Sequence, residues 1–350
     1  DVDKYAEVTD LAPGVAVHPR ESLDVIQRQL RETAGCTVLI YEQTCATEMR
    51  RRRKRGTEPK LAKRVVINEM VCEGCGDCSE QSNCLSVEPV ETEFGRKRRI
   101  NQSSCNQDFS CVKGFCPSFV TVEGGQLRAP KAGDGIPTLS SLPVLPEPEL
   151  PSAQSAYGIV VAGIGGTGVI TIGQLLGMAA HLEGKGIVTQ EAAGLAQKGG
   201  ATWSHVQIAD RPEDIFTTRV GMAEADLIMG CDPIVAAHSS TLTMMREGRT
   251  KVALNTHESP TADLVHEPGW QFPAHQCDHA LGLAVGKGNV GQMDAVELAT
   301  RLLGDAIYAN PLMLGYAWQR GWVPLSHSAL HRAMELNAVQ VERNLAAFEW

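Results

Sequence analysis

Seven of the eleven cysteines in this 350-residue chain fall between residues 72 and 116. The stretch opens Cys72-Glu-Gly-Cys75-Gly-Asp-Cys78 and closes Cys116-Pro117. Three thiolates at every third position can wrap one end of an iron–sulfur cube, and a distant Cys-Pro supplies the fourth ligand. Cys105 and Cys111 repeat the separation of the first and third thiols, with Asp108 in the middle position. A carboxylate can ligate iron there, although soft thiolate is the better match. In proteins with two such clusters, the fourth cysteine of each half ligates the cluster of the other half. The crossed assignment puts Cys72, Cys75, Cys78 and Cys116 on a first [4Fe-4S] cluster. It puts Cys105, Asp108, Cys111 and Cys84 on a second. Cys84 departs from the pattern, because five residues instead of three precede it and Leu85 instead of proline follows.

Other chemistries use the same residue types. A zinc ribbon pairs two Cys-x-x-Cys knuckles, whereas here three thiols share one turn. A disulfide framework needs an oxidising compartment, and nothing in Asp1–Tyr5 resembles a signal peptide. For the second set the plain alternative is that Cys84, Cys105 and Cys111 are buried free thiols of the core.

A different chemistry is suggested by Gly158-Ile-Val-Val-Ala-Gly163-Ile-Gly165-Gly166-Thr167-Gly168. It reads as a buried strand entering a glycine-rich turn, with an apolar helix over 169–182. Such glycines let a phosphate approach backbone amides at a helix N-terminus, or simply permit close helix–strand packing. Glu191 follows the next predicted strand, 186–190, where a ribose-binding carboxylate is sought. The loop 194–204, with Lys198, suits an anionic ligand or a subunit contact. His205 and His257 are candidate ligands or acid–base groups, although a lone histidine near a strand end is usually satisfied locally.

The elements that position these groups alternate. A helix over 21–33 and a buried strand over 36–41 suggest the closing part of an α/β domain. Strands are predicted over 64–71, 87–93 and 119–123, as in a small ferredoxin-like module. Pro130, Pro137, Pro143, Pro146, Pro148 and Pro151 mark an extended connector. Beyond it, predicted strands at 158–164, 186–190, 204–209, 226–230 and 250–255 alternate with helices, including one over 234–246. Residues 290–349 read as two or three helices. The pattern implies an α/β chain in which the small module precedes an independent, doubly wound, Rossmann-like, mostly parallel sheet. The divisions are 1–56, 57–128, 129–156 and 157–350.

Two basic runs, 50–55 and 96–99, sit in a chain of formal net charge −9. They read either as solvated surface and intersubunit salt bridges or as a docking face for an acidic electron carrier. Net acidity and the lack of interleaved aromatics argue against nucleic acid, and no apolar run is long enough to span a membrane. The chain is expected to be cytoplasmic and to be a piece of something longer.

Taken in order, these features resemble the indolepyruvate:ferredoxin oxidoreductases of the 2-oxoacid:ferredoxin oxidoreductase superfamily. The segments carrying the resemblance are Val71–Cys78, Asn101–Cys105, Lys113–Pro117, Gly163–Gly168 and Gln197–Gly200. The resemblance implies that a 2-oxoacid, such as an aryl pyruvate, is decarboxylated on thiamine diphosphate. Electrons would leave through clusters to ferredoxin, and coenzyme A would take the acyl group. Residues 1–56 resemble the end of the thiamine-diphosphate-binding domain, and the last segments resemble a gamma domain. The Gly-Asp-Gly…Asn motif that holds Mg2+ and the diphosphate is missing, so no catalytic residue is assigned. The thiamine domains would lie elsewhere in the protein or on a partner, in an assembly expected to be homo-oligomeric. An NAD(P)-linked iron–sulfur reductase module and a non-catalytic electron-transfer subunit remain as alternatives.

Overall fold

The structure is a computed structural model that describes residues 2–125, 143–192 and 200–350. Pro130, Pro137 and the loop around Lys198 lie outside the described residues. The chain divides into two compact units, one ending at Met49 and the other beginning at Arg50.

In the first unit the predicted helix forms as α1 (Leu23–Glu32), braced by Arg28 Nε donating to Asp24 at 2.9 Å. No residue of α1 is buried. The expected strand over 36–41 does not form. Val38 and Ile40 are 78% and 87% exposed, and among the described residues no neighbouring strand offers its backbone. A β-branched run becomes a strand only where another edge satisfies its amides and carbonyls.

Helix α2 (Ala46–Arg55) carries the first basic run. The cysteine module follows, with β1 (Lys63–Ile67), α3 (Asp77–Ser82), β2 (Val87–Thr92), β3 (Gly95–Ile100) and β4 (Phe119–Glu123). β1 pairs antiparallel with β4, Ile67 opposite Phe119, and β2 with β3 makes a hairpin. β3 was not expected, because its Arg-Lys-Arg-Arg sequence reads as surface. The core of the module is small: Ile67, Cys72, Cys78 and Val87, backed by Cys84, Ile100, Cys111 and Phe119.

The remaining strands are β5 (Tyr157–Ile164), β6 (Gly186–Ala192), β7 (Ala201–Ala209), β8 (Ala225–Gly230), β9 (Lys251–Asn255) and β10 (Val290–Met293). They form one sheet in the order β10-β9-β8-β5-β7-β6. β10, β9, β8 and β5 are parallel neighbours, while β7 runs antiparallel to both β5 and β6. Only residues 193–200 join β6 to β7, too few for the dozen or more residues of a parallel crossover.

The helices are α4 (Val169–Leu182), α5 (Pro233–Ala236), α6 (Ser239–Leu242), α7 (Asp263–His266) and α8 (Ala274–Val285), then α9 (Ala295–Leu303), α10 (Ala309–Gln319), α11 (His327–Asn337) and α12 (Val341–Glu349). The single helix expected over 234–246 is two short ones. His238 takes an extended conformation and caps α6 through its ring nitrogen, which accepts from Ser240 N. The stretch 290–349 begins with a strand and continues as four helices, more than the two or three expected.

Alternate residues of the sheet face opposite sides. Ile159, Val161, Leu227 and Met229 pack with α4, α10, α11 and α12, while Val160, Ile228, Val252 and Leu254 pack with Met244, Met245 and α8. The sheet is thus covered on both faces, as expected for a doubly wound fold. Leu227 is fully buried, so Leu227→Ala is expected to cost about 2–5 kcal/mol in a urea melt. Leu283→Ala, at a surface position, should stay within about 0.5 kcal/mol. Equal effects at the two positions would contradict this assignment of the core.

The sheet domain is not independent of the cysteine module. Arg98 Nη2 donates to Pro268 O at 3.0 Å, and Arg96 donates to Trp270 O. From the connector, Pro146 O accepts from Gln319, and Ala153 is buried with its carbonyl accepting from Asp210 N.

Candidate functional site

Cys72, Cys75, Cys78 and Cys116 line one cavity of about 170 Å³, together with Ile67, Phe119 and Arg98 among others. This is the first ligand set of the crossed assignment. The loop reaches this shape through its glycines. Gly74 and Gly76 have φ of +71° and +88°, which glycine adopts without a Cβ penalty. A Cβ on Gly74 would also collide with the backbone oxygen of Arg96. Gly74 N donates to Cys72 Sγ at 3.3 Å, and Cys116 Sγ lies 2.9 Å from Ser118 Oγ. Burial pushes the Cys78 thiol up to about 11, against the opposing pull of Ser79 and Arg98.

Among the described residues no three His, Cys, Asp or Glu side chains come together as they would around a single metal ion. The fit to a larger anionic group rests instead on the cavity and on Arg98. Its side chain lines the cavity and is 1% exposed, yet among the described residues Nε and Nη1 have no partner. Four cysteine side chains and a buried guanidinium with one of three nitrogens satisfied form a set suited to an iron–sulfur cluster, whose iron would take the sulfurs as thiolates.

Cys84, Cys105, Asp108 and Cys111 also line one cavity, but of only about 10 Å³, about the room a single water needs. The backbone carries the stronger sign. Gln107 and Phe109 have φ of +55° and +58°, at the two loop positions that Gly74 and Gly76 occupy in the first loop. Gln107 N donates to Cys105 Sγ at 3.4 Å, repeating the bond from Gly74. Asp108 therefore stands where Cys75 stands, and its carboxylate accepts from Ser110 Oγ at 3.2 Å. Non-glycine residues in this region cost about 1–3 kcal/mol each and persist where their surroundings enforce them. Burial raises the Cys111 thiol to about 12, helped by Cys105, Cys84 and Asp108.

Several members of both basic runs are held by groups within the chain. Arg50 donates to Ser103 O, Arg53 Nη1 to Asn106 O at 3.0 Å, and Lys54 pairs with Asp305 at 2.5 Å. Burial would raise the Asp305 carboxyl, but Lys54 and hydrogen bonds from Ile307 N and Ser103 hold it below its usual range. The run over 50–55 thus clamps the Cys105 loop to the sheet domain. Arg96 and Arg98 point at the 268–270 loop, and Arg99 pairs with Glu88 at 3.5 Å. These contacts fit the salt-bridge reading in part, while Arg52, Arg55 and Arg99 stay exposed and keep a basic surface.

At the glycine turn, Gly163 is held by close packing. A Cβ there would lie 2.8 Å from Val169 and 2.9 Å from Cys231. Gly165 N donates to Gly200 O, Thr167 Oγ1 to Ile164 O, and Asn310 Nδ2 to Thr167 O. Gly166 and Gly168 have φ of +85° and +103°. A Cβ on Gly166 would approach the Arg51 guanidinium at 3.5 Å, so a cation stands by the turn.

Glu191 lies within β6, not after it, and Oε1 accepts from Ser204 Oγ at 3.1 Å. The antiparallel β7 separates it from β5. Because β8 is the parallel neighbour of β5, the acidic residue at the adjacent strand end is Asp232, which caps α5 through Val235 N. Sequence reasoning missed Asp232, although Cys-Asp-Pro after an apolar run is a legible strand end and helix start.

His205 lies mid-strand opposite Val160, and burial, with the Arg219 charge, pulls it below the usual histidine range. His257 lies two residues beyond β9, its Nδ1 3.4 Å from Asp294. Burial pulls His257 down, but the Asp294 bond and charge and then Glu88 outweigh it, so its pKa is raised. A raised folded pKa contributes stability that is complete below the unfolded value of about 6.5 and disappears as pH rises through the folded value. His257→Gln should therefore destabilise more at about pH 5.5 than at about pH 8.5. An equal loss at both, in anaerobic urea melts, would remove the pair as the cause.

The model of the pyruvate ferredoxin/flavodoxin oxidoreductase family matches residues 158–350, more than half of the chain. The chain belongs to this family. The match is the sheet domain, and the cysteine module lies outside it. A protein of Methanothermobacter thermautotrophicus described as indolepyruvate oxidoreductase subunit IorB is 30% identical over 195 residues, covering 55% of this chain and 94% of that one. The protein so described from Archaeoglobus fulgidus is 32% identical over 198 residues, covering 55% and 91%. Among solved structures, a keto/oxoacid ferredoxin oxidoreductase gamma subunit from Geobacter sulfurreducens matches with TM-score 0.37 and 23% identity, covering 55% of this chain and 94% of that one. Among the described residues no helix is long and apolar enough to cross a membrane.

Proposed function

We propose that this chain is the electron-transfer and gamma-type part of an aryl 2-oxoacid:ferredoxin oxidoreductase of the indolepyruvate type. The observation that carries the reading is the gathering of Cys72, Cys75, Cys78 and Cys116 around one cavity beside a half-partnered guanidinium. Cys72, Cys75, Cys78 and Cys116 would hold one [4Fe-4S] cluster, and Cys84, Cys105, Asp108 and Cys111 a second. When bound, such a cluster takes up and releases single electrons at a potential set by its surroundings. The chain's own residues supply the thiolates, the amides that donate to sulfur, and the apolar wall of Ile67 and Phe119 that limits water.

Decarboxylation on thiamine diphosphate and Mg2+ belongs, in this reading, to domains elsewhere in the protein or on a partner subunit. Ferredoxin or a similar low-potential carrier is the acceptor, and coenzyme A takes the acyl group. The Gly163–Gly168 turn, with Arg51 beside it, is where an anionic group such as a coenzyme A phosphate is to be sought. The position of Glu191 inside β6 weakens the NAD(P) alternative. The divisions at 1–56, 57–128, 129–156 and 157–350, a homo-oligomeric assembly and a cytoplasmic location are part of the same proposal.

The test is iron and acid-labile sulfide per chain after anaerobic purification, with an EPR spectrum of the reduced sample. About eight of each supports two clusters, and about four supports the first alone. Zinc in place of iron overturns the reading.

A further inference from the structure

The strand β3 spreads four consecutive basic residues over two faces. Lys97 and Arg99 face one side, where Arg99 meets Glu88. Arg96 and Arg98 face the other, where both donate to carbonyls of the 268–270 loop. Arg96 also pairs with Glu91 at 3.1 Å. Arg98 differs, because among the described residues it has no carboxylate partner and only one of its three nitrogens is satisfied.

Burying a guanidinium without a counter-charge costs several kcal/mol, and a fold that retains one has an anion to put beside it. The acidic side chains nearest along the hairpin, Glu88 and Glu91, are taken by Arg99 and Arg96. What remains beside Arg98 is the cavity lined by Cys72, Cys75, Cys78 and Cys116, whose wall also holds Glu73 and Asp77, neither of them paired with Arg98 among the described residues. Four thiolates around an iron–sulfur core carry net negative charge, and their sulfurs accept hydrogen bonds.

We infer that Arg98 is a positioning residue for the first cluster: its unpartnered N–H groups donate to cluster or cysteine sulfur and its charge raises the reduction potential. Its remaining bond to Pro268 fixes that charge relative to the sheet domain. The inference rests on the cluster reading above and goes beyond it, because it assigns a residue that is not a ligand. A positive charge and N–H···S bonds both favour the more negative, reduced form, so removing them moves the midpoint down.

The experiment is a redox titration followed by EPR, on the chain with its native partner subunits, with dithionite as the one-electron reductant. Arg98→Gln should shift the midpoint of one cluster to more negative potential while iron per chain stays at the wild-type level. Arg98→Lys, which keeps the charge but loses the fork of donors, should shift it less. Arg99→Gln, on the opposite face, should leave it in place. An unchanged midpoint in Arg98→Gln with iron retained overturns the inference. If Arg98→Gln does not load iron, Arg98→Lys decides: an intermediate midpoint supports the role, and a wild-type midpoint or the same iron loss reduces Arg98 to packing. A wild-type protein purified without iron instead removes the cluster reading itself, and this inference with it.

Discussion

Cys75→Ala should lower the iron of the chain from about eight atoms to about four and erase one of two EPR signals. Cys75 is the exposed member of the first set, whereas Cys72 and Cys78 are buried in the module core. Its replacement therefore removes a ligand with little loss of packing, and a defect can be read as a cluster defect. In the assembled enzyme, reduction of an external acceptor should fall at least about 100-fold, beyond what losing an outer-shell partner costs. Release of CO2 from the 2-oxoacid in a single turnover should survive, because the proposed function puts the thiamine chemistry outside this chain. Electron output within twofold of the wild type would take the first cluster off the path.

Removing the iron should unfold the cysteine module while the sheet domain stays intact. Half of the side chains in the module core are thiols: Cys72, Cys78, Cys84 and Cys111 beside Ile67, Val87, Ile100 and Phe119. So small an apolar core cannot offset the entropy of ordering the loops, and in the proposed reading bound metal would supply the difference. After anaerobic chelation, amides of β1 to β4 are expected to exchange with deuterium on the order of 100-fold faster. The 268–270 loop should follow, because Arg96 and Arg98 would no longer anchor it. The amides of β5 and β8, between buried faces, should keep their protection. Unchanged exchange in the module after iron loss would mean that the thiols serve packing alone.

Much of this was legible in advance. The 3-residue cysteine spacing goes with a tight turn in which the second and fourth residues after Cys72, Gly74 and Gly76, are left-handed. The helix after the glycine turn runs over 169–182, as its apolar pattern requires. β4 likewise matches its predicted span. Where reading failed, the deciding partner was distant. The run at 36–41 has strand propensity and no edge to pair with. β7 has strand propensity too, but its direction follows from the short 193–200 connection. Gln107 and Phe109 do not look like left-handed residues, so the second loop was recognised by its cysteines and not by its backbone.

The sequence by itself determined what is local: which residues can ligate, where the chain must turn, and which strands are apolar on both faces. These follow from side-chain chemistry and from steric limits within a few residues. The tertiary structure decided which candidate ligands share a cavity, that Glu191 sits inside an outer strand, and which basic residues are held within the chain. It also left Arg98 buried beside four thiols with two nitrogens unpartnered. Charge burial depends on which surfaces meet after folding, and no spacing along the chain records that.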